Sequence, residues 1–294
     1  MDRCLKDRFW RIVNNHQLIL VFVRDLNFEV RIESAAQNNG FQVKLIESAD
    51  QIAPPDEKEL GVQFAEHLEG RGAVLLDKIT QWHPALIIFD LGNEFIPWED
   101  WIRLISSVPA TRRIPILCFG PHVEIDKMQA AKNAGANEVI ARSRFVTQLP
   151  DLLLKNARKT DWAEMKDVCQ DHLSYYAKRG LEEFNRGEYF KAHDSLEKAW
   201  IEDESPGREL YQAILQVAVA YYQVLQGNYN GAAKMFLRLR QWIDPIPDFC
   251  RGVNVAKFRK DACVVHEAVL NLGPGRIEDF DQSLLKPVEY EDLN

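Results

Sequence analysis

The feature that most constrains the fold is a change in hydrophobic period about halfway along the chain. Up to residue 156, short apolar runs alternate with segments in which apolar residues recur every three or four positions. From Trp162 onward only the second pattern continues. A short apolar run is typical of a buried strand, and recurrence at three and four is typical of one face of a helix. The sequence therefore predicts an α/β domain followed by an all-α domain.

The first part of the chain, residues 17–156, reads as a doubly wound α/β domain. Strongly apolar strands that alternate with helices indicate a parallel sheet covered on both faces. The predicted strands are Leu18–Val23, Gln42–Ile46, Ala85–Asp90, Ile114–Phe119 and Glu138–Ala141. The predicted helices are Glu29–Asn38, Val74–Trp82, Trp98–Ser107, Glu124–Ala134 and Phe145–Asn156. We also expect an N-terminal extension at 1–16 and an insertion at 51–72.

Three motifs in this part resemble the receiver domain of two-component response regulators. The segment LIIFDLGN places Asp90 at the end of the third strand. SSVPATRRIPILCFG resembles the linker and fourth strand of that family, and AAKNAGANEVIAR resembles its fourth helix and fifth strand. The resemblance implies a five-stranded parallel sheet of the flavodoxin-like type. It also implies that Asp90 occupies the place of the phospho-accepting aspartate.

The residues around Asp90 depart from the receiver pattern. The resemblance implies two acids after the first strand to hold Mg²⁺, a hydroxyl residue after the fourth strand and a lysine after the fifth. In those places this chain has Arg24 with Asp25, Gly120, and Arg142 or Arg144. Losing a metal ligand should be severe, because the metal neutralises charge during phosphoryl transfer. We therefore expect the two aspartates to pair with Arg24 and a later arginine. The alternative is residual phosphorylation, with Arg142 in place of the lysine.

The second part, residues 160–285, reads as antiparallel helices, followed by an acidic tail at 286–294. Helices are predicted at 162–186, 189–202, 207–226, 230–243 and 254–272, with no strand. GEYFKAHDSLEKAW repeats weakly as GNYNGAAKMFLRLR, so that Gly187 matches Gly227 and Tyr189 matches Tyr229. Glycine permits a tight turn and tyrosine packs across it, which is typical of tetratricopeptide-like hairpins. His193 breaks the repeat, because the second copy has an alanine there.

This part also resembles the bacterial and archaeal family catalogued as domain of unknown function 309. The match is carried by FNRGEYFKAHDSLEKAW and RELYQAILQVAVAYYQVLQGNYNGA, and it extends over about residues 175–285. The resemblance implies an all-helical fold. Because some descriptions of the family suggest a metal-dependent hydrolase, it also implies that activity as one alternative.

His193 and Glu197 are the candidate site of the helical part. They lie at i and i+4, so both side chains project from one face of a helix. They could supply two ligands of a divalent metal, whereas a catalytic zinc normally takes three protein ligands and a water. Other polar candidates on the facing and last helices are Arg208, Gln212, Gln216, Tyr222 and His266.

Three interpretations of this set stay open. The first is a buried polar network, because buried polar groups must be paired. In that network Glu197 and Gln216 orient His193, while Arg208 satisfies a carboxylate and Trp200 covers the group. The second interpretation is a pocket for a small molecule or a peptide. The third is a metal-dependent hydrolase site.

Charge, apolar runs and cysteines bear on partners and location. The net charge is −8, and neither half has the basic excess that nucleic-acid binding needs. No apolar run approaches the roughly 20 residues of a membrane span, and the N-terminal pattern does not resemble a signal peptide. The five cysteines have no CxxC pair, so we expect reduced thiols and a cytoplasmic protein. They are Cys4, Cys118, Cys169, Cys250 and Cys263.

The sequence thus predicts a non-catalytic regulatory or protein-interaction protein. Its first domain would be a pseudo-receiver that docks without phosphorylation, and its helical domain would bind a ligand or a protein. A metal-dependent hydrolase is the first alternative, and a response regulator phosphorylated on Asp90 is the second. The expected partner is a protein, with a homo-oligomer as one form of it, and neither nucleic acid nor a membrane.

Overall fold

The computed structural model of the chain describes residues 17–54 and 70–291. These residues fall into two compact units that separate between Lys159 and Thr160. We call them the α/β unit and the helical unit. The expected N-terminal extension at 1–16, residues 55–69 of the expected insertion and residues 292–294 of the acidic tail lie outside the described residues.

The α/β unit is a five-stranded parallel sheet with the strand order β2-β1-β3-β4-β5. Its strands are β1 (Gln17–Phe22), β2 (Phe41–Ile46), β3 (Leu86–Asp90), β4 (Ile116–Gly120) and β5 (Glu138–Ala141). Its helices are α1 (Leu26–Asn38), α2 (Arg71–Trp82), α3 (Trp98–Ser107), α4 (Ile125–Ala134) and α5 (Arg142–Asn156). This is the doubly wound architecture that the sequence predicts.

Each face of the sheet has its own core. Leu20 and Phe22 of β1 belong to one buried cluster, and Ile19 and Val21 belong to the other. Successive side chains of a strand point to opposite faces, so an entirely apolar strand fills both cores. This is why β1 is a continuous apolar run rather than an alternating one.

Three helices of the α/β unit begin three residues earlier than the sequence predicts, among them the predicted helix Val74–Trp82, which begins at Arg71. The predicted helix Glu29–Asn38 begins earlier, at Leu26, because the side chain of Asp25 accepts a hydrogen bond from Asn27 N and caps the helix. The predicted helix Phe145–Asn156 begins at Arg142, directly after β5. That helix contains Pro150, and Gln148 has non-helical backbone angles, so it is kinked.

The helical unit contains six α-helices and a short hairpin among the described residues. The helices are α6 (Trp162–Val168), α7 (Tyr175–Asn185), α8 (Tyr189–Glu202), α9 (Glu209–Leu225), α10 (Tyr229–Ile243) and α11 (Val255–Leu272). Gly187 and Gly227 have φ values of 76° and 69°, in the left-handed region that glycine adopts without strain. They form the turns between α7 and α8 and between α9 and α10, as predicted.

Two expectations for the helical unit are wrong. The predicted helix 162–186 is two helices, since α6 ends at Val168 and α7 starts only after Ser174, whose hydroxyl caps it. The prediction of no strand is also wrong, because β6 (Phe249–Cys250) and β7 (Val253–Asn254) pair antiparallel. Arg251 and Gly252 between them have φ values of 53° and 80°, as the two-residue turn of a tight hairpin requires.

The expectation of reduced thiols is wrong for three of the cysteines, since Cys263 is disulfide-bonded and so are Cys169 and Cys250. Cys169 follows α6, Cys250 ends β6, and the two form a disulfide with a sequence separation of 81. Both are almost fully buried. The bond ties the break between α6 and α7 to the hairpin. Local sequence could not reveal it, since neither cysteine has a neighbouring cysteine that would suggest a pairing.

The core of the helical unit is rich in aromatic side chains. Phe184, Tyr189 and Tyr221 pack in mutual contact, with ring centroids 5.1 to 5.5 Å apart. Close approach of α7 and α8 depends on Gly180, where an added Cβ would lie 2.6 Å from Leu196 Cγ. In the described ranges, no helix is long and apolar enough to cross a membrane.

Candidate functional site

The carboxyl edge of the sheet is the first candidate site. Ligands of open α/β sheets bind at this edge, where the strand order reverses. Here it reverses around β1, which lies between β2 and β3. Asp90 is the last residue of β3, Gly120 is the last residue of β4, and Arg142 follows β5. The fold therefore brings these residues to one edge from distant parts of the chain.

The carboxylate of Asp90 is buried and bound by the chain's own donors. Asp90 is 5% exposed. Nη2 of Arg142 lies 2.9 Å from Oδ1 and 3.1 Å from Oδ2, and the Gly92 amide donates to Oδ1 over 2.9 Å. Of the expected ion pairs, this is the one that the structure contains.

The guanidinium of Arg142 is held from two sides. It lies over the ring of Phe28 on α1, 5.1 Å from the centroid, while Nη2 contacts Asp90. A Cβ at Gly92 would lie 2.9 Å from Nη2, so glycine leaves the room that the guanidinium fills. The ion pair thus lies among α1, β3 and α5, with the Asp90 side chain buried and the Arg142 side chain 36% exposed.

The two residues after β1 do not form the ion pairs expected of them. Asp25 caps α1, and Arg24 lies over the ring of Phe95 at 3.9 Å from its centroid. Gly120 packs against Leu91, whose Cβ would lie 3.2 Å from an added Cβ. Among the described residues, this edge offers neither a second acid directed at Asp90 nor a hydroxyl at the end of β4.

These residues do not fit the Mg²⁺ that a receiver uses. Magnesium requires oxygen ligands in a near-octahedral arrangement. The carboxylate oxygens of Asp90 face a guanidinium, and Asp25 directs Oδ1 to the backbone of α1. In this structure the Arg142 guanidinium compensates the charge of the Asp90 carboxylate.

The second candidate site lies on α8 and α9, which form a helix hairpin. Arg208, just before α9, places its guanidinium carbon 5.4 Å from the centroid of the Trp200 ring near the end of α8. This contact sets the antiparallel register. Gln212 and Gln216 follow Arg208 at one and two turns along α9, as Glu197 and His193 precede Trp200 along α8.

The polar network expected around His193 is not the one observed. His193 Nδ1 lies 3.2 Å from Oδ1 of its neighbour Asp194, and its side chain is one-third exposed. Glu197 is exposed. Tyr222 packs against Phe190, with ring centroids 5.8 Å apart. The expectation that Glu197 and Gln216 orient His193 is therefore wrong, because the rotation of α8 turns this carboxylate towards solvent.

Two enclosed polar atoms on this hairpin lack hydrogen-bond partners. Gln216 is 9% exposed, and its Oε1 has no partner among the described residues. The indole Nε1 of Trp200 is also enclosed without a partner there. Unsatisfied buried groups are rare in native proteins because each carries a desolvation penalty. The hairpin thus encloses one donor and one acceptor that have no hydrogen-bond partner among the described residues.

The donor set on the helical unit does not fit a catalytic metal. Among residues 17–54 and 70–291, no group of three or more His, Cys, Asp or Glu side chains could hold a metal ion. His266, the further donor considered, stacks on Phe236 with ring centroids 5.1 Å apart. Burial, with a smaller effect of Arg240, lowers the pKa of His266 to about 4. Within the part of the chain that the structure describes, the pair His193 and Glu197 therefore has no third ligand of the kind that zinc requires.

The helical unit contains a buried polar network whose residues are not among the candidates identified from the sequence. Glu183 on α7 is 3% exposed, and it accepts hydrogen bonds from Ser195 Oγ at 2.6 Å and Arg179 Nε at 2.9 Å. Burial raises the pKa of Glu183, but these hydrogen bonds and the charge of Arg179 outweigh it and hold the pKa below its ordinary value. The i and i+4 spacing of Arg179 and Glu183 is the sequence pattern that could have predicted this ion pair.

A family model matches part of the helical unit. The model is Domain of unknown function (DUF309), and it matches residues 177–235. These residues include all of α8 and α9. No curated protein matches the chain at a significant level.

Solved structures of receiver domains are similar to the α/β unit. A chemotaxis response regulator of Vibrio cholerae is 14% identical, with 48% of this chain and 98% of that one covered and a TM-score of 0.35. The receiver domain of a sensor histidine kinase from Pseudomonas aeruginosa, which holds a magnesium ion, is 16% identical, with 48% and 96% covered and a TM-score of 0.36. A response regulator from Hahella chejuensis is 18% identical, with 47% and 90% covered and a TM-score of 0.35.

Proposed function

We propose that this protein is a non-catalytic regulatory protein with two binding modules. The α/β unit is a pseudo-receiver that docks a protein without being phosphorylated. The helical unit binds a ligand or a protein through the α8–α9 hairpin. The protein acts in the cytoplasm through a protein partner. One candidate partner is a second copy of the chain, and the experiment below tests it.

The ion pair between Asp90 and Arg142 carries this proposal. A phospho-accepting carboxylate needs a free oxygen to attack phosphorus and a metal to neutralise the developing charge. Both oxygens of Asp90 lie within 3.1 Å of Arg142 Nη2. The guanidinium already compensates the buried charge, so the edge keeps one conformation without a phosphoryl group.

Exposed apolar side chains at the same edge support a docking role. Surface apolar residues are ordinary singly, but a group of them at one edge marks a contact surface. Four apolar residues follow the ends of β1, β3 and β4 and are 54 to 73% exposed. These residues are Leu26, Phe95, Val123 and Ile125. Light scattering of the eluting protein, with and without Val123→Ser and Ile125→Ser, tests a second copy as the partner. Self-association that these changes abolish supports it.

The phosphorylation test uses the full chain with MgCl₂ and acetyl phosphate, followed by intact mass. We expect no phosphoryl adduct on the natural protein. The matched variant carries Arg24→Asp, Gly120→Thr and Arg142→Lys, which replace the departures from the receiver pattern. We expect this variant to gain an adduct that a further Asp90→Asn change removes. A stable adduct at Asp90 of the natural protein would refute the pseudo-receiver proposal.

A further inference from the structure

We infer that the solvent-facing side of α8 is a docking surface for a cationic amphipathic helix of a protein partner. The surface consists of Phe190, Asp194, Glu197 and Ile201, and we call it the α8 stripe. Its two carboxylates pair with Lys or Arg side chains of the partner helix, and its two ends contact apolar side chains. The inference rests on the proposed binding role of the helical unit and names the chemistry of its partner.

The four residues of the α8 stripe lie along one side of the helix. Relative to Phe190 they stand at i+4, i+7 and i+11, and at 3.6 residues per turn their directions fall within about 60° of one another. The rise per residue separates Phe190 from Ile201 by about 16 Å along the axis. The buried residues of α8 lie on the opposite side of the helix, and they are Tyr189, Ala192, Ser195, Leu196 and Ala199. The stripe therefore faces away from the core of the helical unit.

The two ends of the α8 stripe are apolar and exposed. Phe190 is 63% exposed and Ile201 is 64% exposed. The ring of Phe190 also contacts Tyr222 of α9, with ring centroids 5.8 Å apart, so that end is wider than a single side chain. The outer face of a surface helix is normally polar, and isolated apolar residues on it are ordinary. Two large apolar side chains that flank charged residues on one stripe instead indicate a contact surface for another helix.

The middle of the α8 stripe carries two negative charges. The side chain of Asp194 is 60% exposed, and its Oδ1 lies 3.2 Å from His193 Nδ1. Glu197 is exposed and has no ion-pair partner within the described parts of the chain. Arg208, just before α9, stacks over Trp200. Both carboxylates of the stripe are thus open to a cation from outside the protein.

The two lysines of α8 are engaged away from the stripe. Nζ of Lys191 lies 3.4 Å from a carboxylate oxygen of Glu188, which precedes the helix. Nζ of Lys198 lies over the ring of Tyr176 on α7, 5.5 Å from its centroid. Because neither lysine neutralises the stripe, its charge is available to a partner of opposite charge.

Charge complementarity selects the partner. A matching helix has apolar residues at both ends of one stripe and Lys or Arg at the two positions between them. The spacing of four, three and four residues is the same from either end, so one pattern fits in a parallel or an antiparallel orientation. A second copy of this chain does not fit, because two antiparallel α8 stripes would place Asp194 of one copy opposite Glu197 of the other. Like charges in such contact disfavour the pairing.

The direct test is titration of the ¹⁵N-labelled full chain with a designed peptide, observed through the backbone amide signals of α8. The peptide is an alanine-based helix of about 18 residues, with leucine at i and i+11 and arginine at i+4 and i+7. We expect the signals of residues 190–201 to shift and saturate. The matched peptide has glutamate in place of both arginines and should bind at least about tenfold more weakly, because two attractive contacts become repulsive. Equal affinity for the two peptides, or no binding of the arginine peptide, overturns the inference.

A charge reversal on the protein separates specific pairing from general attraction. Asp194→Lys with Glu197→Lys should reverse the preference, so that the glutamate peptide binds more tightly than the arginine peptide. The matched control is Glu202→Lys with Glu204→Lys, which changes the net charge equally at exposed positions outside the stripe. The control should keep the preference for the arginine peptide. An equal loss of that preference in both variants would show that net charge alone attracts the peptide, and the inference would be wrong.

The apolar ends have their own test. Phe190→Ser with Ile201→Ser should weaken binding of the arginine peptide at least about tenfold, and circular dichroism should show an unchanged fold because both side chains are exposed. Unchanged affinity would remove the ends from the surface and contradict the inference. Light scattering of the natural protein tests the second copy. Self-association that this variant abolishes would identify a second copy as the occupant and overturn the proposed cationic partner.

The outcomes separate this inference from the wider proposal. Failure of peptide binding at α8 leaves the phosphodonor result at Asp90 untouched, because that experiment reads the α/β unit alone. A phosphoryl adduct at Asp90 would refute the pseudo-receiver and leave the peptide titration unaffected.

Discussion

The guanidinium of Arg251 donates to the carboxylate of Asp203 over 2.5 Å, although the two residues are 48 positions apart. Arg251 also donates to the Tyr211 hydroxyl and to Ser205 Oγ, and it is only 5% exposed. A Cβ at Gly207 would lie 2.8 Å from its Nη2. One buried cation thus holds the hairpin against the start of α9.

Replacement of Arg251 by methionine should destabilise the helical unit by about 3–5 kcal/mol. The change leaves Asp203 partly buried without its cation, and breaking a buried pair from one side costs about that much. Urea unfolding followed by circular dichroism measures the effect. Arg186→Met is the control, because the Arg186 side chain is 57% exposed and its replacement should cost less than about 0.5 kcal/mol. Equal costs for the two variants would contradict the assigned role of Arg251.

Acidification should weaken the helical unit through His266. Burial lowers the pKa of His266 to about 4 in the folded protein, against about 6.5 in an unfolded chain. The unfolded state therefore takes up the proton first. The contribution of neutral His266 to the free energy of unfolding is complete above about pH 6.5. As the pH falls towards 4, this contribution is lost, and the free energy of unfolding decreases by up to about 3 kcal/mol.

Urea midpoints measured between pH 7 and 4 test this dependence. His266→Phe keeps an aromatic ring against Phe236 and removes the titrating group. The difference in stability between the variant and the natural protein should grow in favour of the variant as the pH falls. A difference that stays constant over this range would show that His266 is protonated as easily in the folded state as in the unfolded state.

The disulfide between Cys169 and Cys250 should stabilise the helical unit substantially. Closing a loop with a sequence separation of 81 restricts the unfolded chain, which is worth about 4 kcal/mol in the chain-entropy model. We expect Cys169→Ser with Cys250→Ser to lower the free energy of unfolding by about that amount under oxidising conditions. Peptide mapping without reduction should recover the two linked peptides. Full alkylation of both thiols in protein trapped from cells would show that the bond does not form there.

Gly180→Ala should destabilise the packing of α7 against α8 by about 1–3 kcal/mol. The added Cβ would lie 2.6 Å from Leu196 Cγ, so one of the helices must shift. Thermal unfolding gives the cost. Gly275→Ala is the matched control, because an added Cβ there meets nothing within 4 Å. Equal stability of the two variants would mean that Leu196 can move aside without loss.

The order of strands and helices could be predicted because the relevant signals are local. The buried run Leu86–Asp90 reads as a strand in any context, and Gly187 and Gly227 mark turns that only glycine makes easily. The break after Val168 could not be predicted in the same way. The helical period continues through it, although residues 169–174 are not helical and Cys169 among them is bonded to Cys250 far along the chain.

The candidate sites were predictable in part. The departures around Asp90 pointed to an arginine partner, because a buried carboxylate needs compensation. The choice of Arg142 over Arg24 depends on where the strands end in three dimensions. At the α8–α9 hairpin the residues were identified but their pairing was not, since side-chain contacts depend on the rotation of each helix about its axis.

The sequence by itself determined the fold class, the alternation of elements and the position of the turns. These properties follow from the preferences of neighbouring residues and from hydrophobic period. Only the tertiary structure decided that Arg142 neutralises Asp90 and that Cys169 is bonded to Cys250. It also decided that the buried polar network contains Glu183 and Ser195, and not His193 and Glu197. The physical reason is that each of these pairings depends on a distance between packed elements, which no local pattern of residues encodes.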